Sequence, residues 1–391
     1  MLELILAFIL GILAGTITGL TPGIHINLVS LFLISAFPSI SPIPAIVFIV
    51  SMSITHTFLD FIPSIFLGAP DSDSSLSVLP GHELLLQGQG YKAVILTSYG
   101  CLSGILIILI LTPLFLIYLS QIFPYFKLIM PFILIFSSAF LIIKEEKSIF
   151  LALLVFFLSG FLGIAVFQLP LKDPLLPLLT GLFGASSLIT SIAKKQKLPA
   201  QERIFPKFKL AYLKSLLSSF IASPLCSFLP ALGSGQAAVI ASNISDSKEK
   251  EDFLVLLGSI NIIVLGLSFV TLYSINKART GVSASIQQIG LSLSQLPAVL
   301  IAIIISGILA FFLTIILAKI FSKTISRINY SILSIAVLSI LTAVVFIFSG
   351  FLGLLVFIFS TLLGILTISL AIRRTHMLGS LMLSTILYYL I

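Results

Sequence analysis

The 391-residue chain is 59% hydrophobic and 9% charged, with a mean hydropathy of +1.25, so apolar runs long enough to cross a bilayer fill most of it. That composition excludes a soluble domain of any size. The formal charge of +8 does not point to nucleic acid, because seven of the 21 Lys and Arg lie between Lys194 and Lys214, in one connection with the positive excess of a cytoplasmic loop.

In lipid every backbone polar group must be met within its own segment, which leaves helices or closed barrels. The runs 105–122 and 298–320 are unbroken rather than alternating. The expectation is an all-α polytopic protein, multi-pass in the cell membrane. At about 20 residues per crossing, roughly 10–12 transmembrane or re-entrant helices fit.

Residues 1–18 lack a basic leader and an Ala-x-Ala site, and read as a first membrane helix rather than a cleaved signal. The stretch "GLTPGIHINLVS" then breaks the helix over 19–27. A helix that stops inside the membrane leaves N–H or C=O groups that protein, water or a ligand must meet. One that starts after Pro22-Gly23 turns its N–H groups and partial positive charge toward a carboxylate or phosphate. Thr21, Pro22, Gly23, Ile24, His25 and Asn27 are therefore candidate anion ligands. The plainer alternative is a Pro/Gly kink satisfied by neighbouring helices.

In "THTFLDFIPSIF", His56 and Asp60 stand one helical turn apart on a common face. Ionisable groups inside spans are costly, so the pair is either a site for a coupling Na⁺ or H⁺ or a mutually satisfied buried pair. Pro70 and Asp71, in "GAPDSDSSLS", either join the substrate site or cap a helix in a loop. No Lys or Arg precedes Lys92. Spans at 92–120, 126–143, 148–168 and 175–193 read as scaffold, interrupted by the charged turn Lys144-Glu145-Glu146-Lys147. Cys101 and Cys226, far apart and in apolar surroundings, read as buried small hydrophobes.

Beyond the basic connection at 194–214, a second break falls at 230–236, offering Gly233, Ser234, Gly235 and Gln236 as ligands. With Pro22 set on Pro230, Asp71 and Arg279 both follow their proline by 49 positions. The chain thus divides into a first transmembrane repeat at 1–193, the connection, and a second repeat at 215–391, an inverted pair with broken helices. Lys277 and Arg279 are snorkelling interface cations or counter-ions of an anionic substrate. The run at 248–252 is a solvated turn, and about three or four more spans follow Leu296, one inner end marked by Arg373 and Arg374.

These motifs resemble the large membrane subunit family of the tripartite tricarboxylate transporters, in its stand-alone archaeal branch. Gly19, Pro22 and Gly23 match that family's Gly-x-x-Pro-Gly-x-Gly element, with His25 in place of its last glycine. Pro70-Asp71 and Gly88-Gln89-Gly90 follow in the family's order, and Pro230-Ala231-Leu232-Gly233 meets its second Pro-Gly-x-Gly. The family's later motifs are replaced by "GSINIIVLGLSFVTLYSINKARTGVSAS", so substrate identity does not carry over. The resemblance implies a cation-coupled carboxylate importer whose relatives work with a small membrane subunit and an extracellular binding protein; a homodimer also stays open.

The expected function is alternating-access secondary transport of a small organic anion, with no cofactor beyond a coupling Na⁺ or H⁺. A translocase of polyprenyl-phosphate lipid carriers is the alternative, since a lipid phosphate suits the same helix ends. An enzyme is not expected: there is no His-Glu-x-x-His, and Ser-Gly pairs such as Ser103-Gly104 have no His partner on a facing span.

Overall fold

The computed structural model describes residues 2–22, 26, 29–30, 41–69, 76, 78–171, 173–193, 198–228, 233–246, 249–290, 292–326 and 330–390. Among these every regular element is helical: α1 (Leu2–Leu20), α2 (Pro42–Leu59), α3 (Phe61–Leu67), α4 (Val78–Leu86), α5 (Gly90–Ile143), α6 (Ile149–Phe167), α7 (Leu175–Leu179), a π-turn (Thr180–Ala185), α8 (Ser186–Ala193), α9 (Tyr212–Phe228), α10 (Ser234–Ser245), α11 (Lys250–Ile275), α12 (Gly281–Ile289), α13 (Leu296–Ile325), α14 (Tyr330–Ser369) and α15 (Gly379–Leu390).

Eight helices among the described residues are long and apolar enough to cross a bilayer. The apolar piece Leu128–Ile143 is shorter than a crossing, as are α9, with 17 residues, and α10, with 12. The spans of α2–α3 and of α11 are 89% buried, whereas those of α1 and α14 are 22% buried, which places the first two at the centre and the last two against lipid.

Two long runs bend where their sequence dictates. Lys92, at the start of α5, pairs with Glu251 at 2.5 Å, while Lys144, just past its end, pairs with Asp246 at 2.6 Å. A straight helix of 54 residues would be about 80 Å long, so α5 folds back on itself, with Pro124 and Pro131 in its middle to break the ladder. In α14 the bend is at Gly350, whose φ of 63° only glycine adopts without strain.

Glycine also sets the tightest seam. Gly11, Gly15 and Gly19 lie in ascending order against Phe48, Met52 and His56, so α1 and α2 run parallel, backbone against backbone. Likewise α9 runs parallel to α11, with Tyr212 bonded to Glu251 and Ser219 to Ser259.

Across the middle, α11 runs parallel to α5: Gly258 meets Thr97, Gly104 meets Ile262, and Ser274 Oγ donates to Phe115 O at 2.9 Å. The α2–α3 segment runs parallel to α13, with Gly307 close to Ile54 and the Phe66 and Phe321 rings 6.2 Å apart. α5 and α13 are antiparallel, since Ile105 meets Gly307 while Tyr99 stacks on Phe311. It follows that α2 and α11 point in opposite directions.

Residues 198–209 form no helix and lie along the face that carries the basic connection. Gln201 accepts from Gly90 N–H at 2.9 Å and donates to Leu85 O at 3.0 Å, and Tyr99 OH donates to Pro206 O at 2.6 Å. The connection is thereby fastened over the α4–α5 junction.

Candidate functional site

The first break begins where α1 ends. Thr21 donates its hydroxyl to Ile17 O at 2.6 Å and its N–H to Thr18 O at 3.3 Å, so its donors close the last turn of its own helix; Pro22 follows. Beside this end lies His56, whose Nδ1 is 3.1 Å from Thr18 Oγ1. Gly19 permits the approach, because a Cβ there would lie 2.9 Å from His56 O. Gly23, Ile24, His25, Asn27, Pro70 and Asp71 lie outside the described residues.

Asp60 sits at the joint between α2 and α3. Its N–H donates to His56 O at 2.8 Å and its carbonyl accepts from Ser64 N–H at 3.2 Å, so helical bonding runs through the joint. Both side chains are buried, His56 at 4% and Asp60 at 5% exposure, among Phe58, Leu59, Phe61 and Ile62, which are fully enclosed. A carboxylate in that setting is stable only with a cation, a proton or a hydrogen-bond network at hand.

The second break separates α9 from α10. Gly233 is the N-cap of α10, and Gln236 folds back so that its Oε1 accepts the Gly233 N–H at 3.0 Å, which preorganises the first turn. Packing does not demand glycine at 235: a Cβ would meet only Leu378 and Leu381 side chains, at 3.5 and 3.7 Å. On the other side of the break Arg279 donates from Nε to Ser227 O at 3.1 Å and from Nη2 to Cys226 O at 2.9 Å, meeting the last carbonyls of α9. Lys277, two residues earlier, is exposed and lies over the Phe123 ring at 4.6 Å, away from the break.

The structure thus brings His56 to the first break and Arg279 to the second. It also draws the halves together, because α12, which follows Arg279, packs on α2, and α4 packs on α11. Thr280 caps α12, accepting from Ser283 N–H at 3.1 Å and holding the Arg279 turn in place.

Long-range polar pairs on the basic face were beyond sequence reasoning. Glu145 is 8% exposed and accepts from His376 at 2.9 Å, and also from the N–H groups of Lys147 and Arg373. Burial raises the Glu145 carboxyl, but those hydrogen bonds outweigh it and leave it below its ordinary range. Burial holds the His376 imidazole below its ordinary range against the pull of Glu145, so a neutral His376 donates from Nε2 to an ionised carboxylate. The sequence shows only a charged turn at 144–147; its partner stands 231 positions away.

Comparison with known proteins places this architecture. No solved structure gives a significant match. An uncharacterized protein of Methanocaldococcus jannaschii is 35% identical over 340 residues, which cover 85% of this chain and 84% of that one. The model of the tripartite tricarboxylate transporter TctA family matches residues 5–379. With a family match over nearly the whole length of a bundle of apolar helices, the chain belongs to the tripartite tricarboxylate transporter TctA family and is a multi-pass membrane transporter component.

Proposed function

We propose that the protein is a cation-coupled secondary transporter of a small organic anion, a carboxylate, working by alternating access between two inverted repeats. The observation that carries this reading is the exchange of central helices. The first half's α2 lies on the second half's α13, the second half's α11 lies on the first half's α5, and α2 and α11 point in opposite directions. Helix starts agree: α1 and α9 are 210 positions apart, α2 and α11 208, α4 and α12 203, α5 and α13 206. Such a pair is related by an axis in the membrane plane, the architecture in which substrate sites form at broken helices near the midplane.

In this reading α9 and α10 are a re-entrant hairpin. Both outer ends face the basic side, at Tyr212 and Asp246, and their 17 and 12 residues reach only about 25 and 18 Å into a hydrocarbon core of about 30 Å. Its tip, with Gly233, Ser234, Gly235 and Gln236, holds the anion on main-chain N–H groups. Arg279 adds positive charge at the tip. His56 and Asp60 take the coupling Na⁺ or H⁺, needed because an inside-negative potential opposes anion entry by about 2.3 kcal/mol per charge per 100 mV. A small membrane subunit and an extracellular binding protein are the partners this reading implies.

The test is thermal stabilisation of the purified protein by di- and tricarboxylates and by polyprenyl phosphates, with and without Na⁺, followed by uptake into proteoliposomes. Carboxylates are expected to stabilise, and Asp60→Asn to abolish gradient-driven accumulation while binding persists. Stabilisation by lipid phosphate alone overturns the proposal.

A further inference from the structure

A cavity of about 680 Å³ opens on the basic face, between α4, the end of α5, the C-terminal turn of α10, the start of α11 and the turn at 373–375. Most of its charges cancel at the rim: Lys144 pairs with Asp246 at 2.6 Å, Arg373 with Glu146 at 2.9 Å, and Lys250 with Glu83. Among the described lining residues two charges remain, Glu249 and Arg374. Glu249 is exposed at the mouth, where water screens it, whereas Arg374 is 5% exposed.

Arg374 meets no carboxylate among the described residues. Its terminal nitrogens donate to the carbonyls of Leu182 and Phe183 and to the hydroxyls of Ser186 and Ser187, groups on the π-turn and the start of α8, and the Phe183 ring lies 5.5 Å from the guanidinium carbon. These dipoles fix its position without cancelling its charge. Among the described residues its Nε has no partner, and neither has the Thr375 hydroxyl. Burial lowers its pKa to about 10, the mark of a cation held where no acid offsets it.

We infer that this cavity is a binding site for a small oxyanion, a carboxylate or phosphate group, held by the uncompensated charge of Arg374 and by the hydroxyl of Thr375. The apolar wall of Leu141, Phe183 and Phe253 excludes water beside that charge and strengthens its field, and it accepts the carbon skeleton of an organic anion. The site is separate from the broken segments and stands or falls independently of them.

The chain contains no tryptophan, so Phe253→Trp places a single indole in the cavity wall, reporting from that place alone. The F253W protein, titrated in detergent with citrate and with inorganic phosphate, should give a saturable change in emission. Adding Arg374→Gln should weaken it about tenfold or more, and Thr375→Val severalfold, in line with the loss of a charge-assisted contact and of a neutral one. Lys277→Gln, which lies over the Phe123 ring and does not line the cavity, should leave it unchanged. If R374Q does not elute as a folded protein, Ser242→Phe, which fills the cavity from α10, should abolish saturation instead. Nanodiscs separate the sources: saturation by phosphatidylglycerol without added anion identifies a lipid headgroup, and its absence identifies a free anion. A linear, unsaturable response, or equal affinity in R374Q, T375V and the parent, overturns the inference.

Discussion

Gly11→Ala tests the α1–α2 seam at the level of single atoms. A Cβ built on Gly11 would lie 2.6 Å from Phe48 O and 3.0 Å from Ser51 Cβ, where ordinary contact starts at 3.4 Å, so α1 would have to retreat by roughly 0.8 Å. Neither neighbour can swing aside, one being backbone and the other a Cβ on a helix. Overpacking of this kind costs about 1–3 kcal/mol, against up to about 1 kcal/mol regained from alanine's helix propensity. At about 2–4 °C per kcal/mol for chains of 150–250 residues, and less for longer ones, the melting temperature in detergent should fall by a few degrees. The comparison that isolates the seam is Gly235→Ala, which has the same gain in propensity but room for its methyl beside Leu378 and Leu381. G235A should melt at or above the wild-type temperature. Equal melting temperatures for G11A and G235A would refute the claim that the two glycines serve different ends, one packing and the other access to main chain.

Other outcomes follow from the polar contacts. Arg279→Gln removes two charge-assisted bonds from the α9 carbonyls and should cost about 1.5–3 kcal/mol, read as faster hydrogen exchange in the last turn of α9. Gln201→Ala strips the buried partners of Gly90 N–H and Leu85 O, and should cost about 1–3 kcal/mol and expose the 198–209 connection to protease. Acidification should destabilise the protein in two steps. His376 has a lowered folded pKa, so its share of the loss begins as pH falls below its unfolded value near 6.5, where the unfolded chain takes up the proton first. The share from Glu145, also lowered, begins below about 4.3 and ends once its folded pKa is passed. His376→Gln should erase the upper step of a melting-temperature profile against pH, and a profile identical to wild type would show that His376 does not titrate as its surroundings require.

Legibility in the sequence tracks the range over which each feature is determined. The ends of α1 and α9 were visible because Pro and Gly act locally, and the non-helical stretch at 198–209 because Pro and charge cluster there. The glycine seam was present in the sequence as Gly11, Gly15 and Gly19 at helical spacing, yet spacing alone names no partner; the Phe48, Met52 and His56 carbonyls belong to another helix. The fold-back of α5 was legible, since the expected spans at 92–120 and 126–143 correspond to its two arms and Pro124 marks the boundary locally. Arg279 could be paired with Asp71 by spacing, but only the fold shows that it caps the very helix whose end forms the break. Glu145 and His376 carried no signal, because a charged turn and a lone histidine look the same whether or not they meet.

In the repeat reading proposed above, the two halves keep register through different chemistry. Gly11 and Ser51 meet in the first seam; 208 positions on, Ser219 and Ser259 meet in the second, through a hydroxyl bond of 2.6 Å. One seam is closed by deleting a side chain and the other by pairing two: Ser51 and Ser259 share a letter at corresponding positions, while Gly11 and Ser219 do not. The exchanged interfaces differ in a way that bears on movement. Between α5 and α11, backbone meets backbone at Gly100 and Gly258, and sliding would break contact at once. Between α2–α3 and α13, side chains make the contact: the Ile54 side chain faces Gly307, and the Phe66 ring faces Phe321. Side chains change rotamer at small cost while main chain does not deform, so any rocking of the two halves is more easily accommodated beside α13 than beside α11.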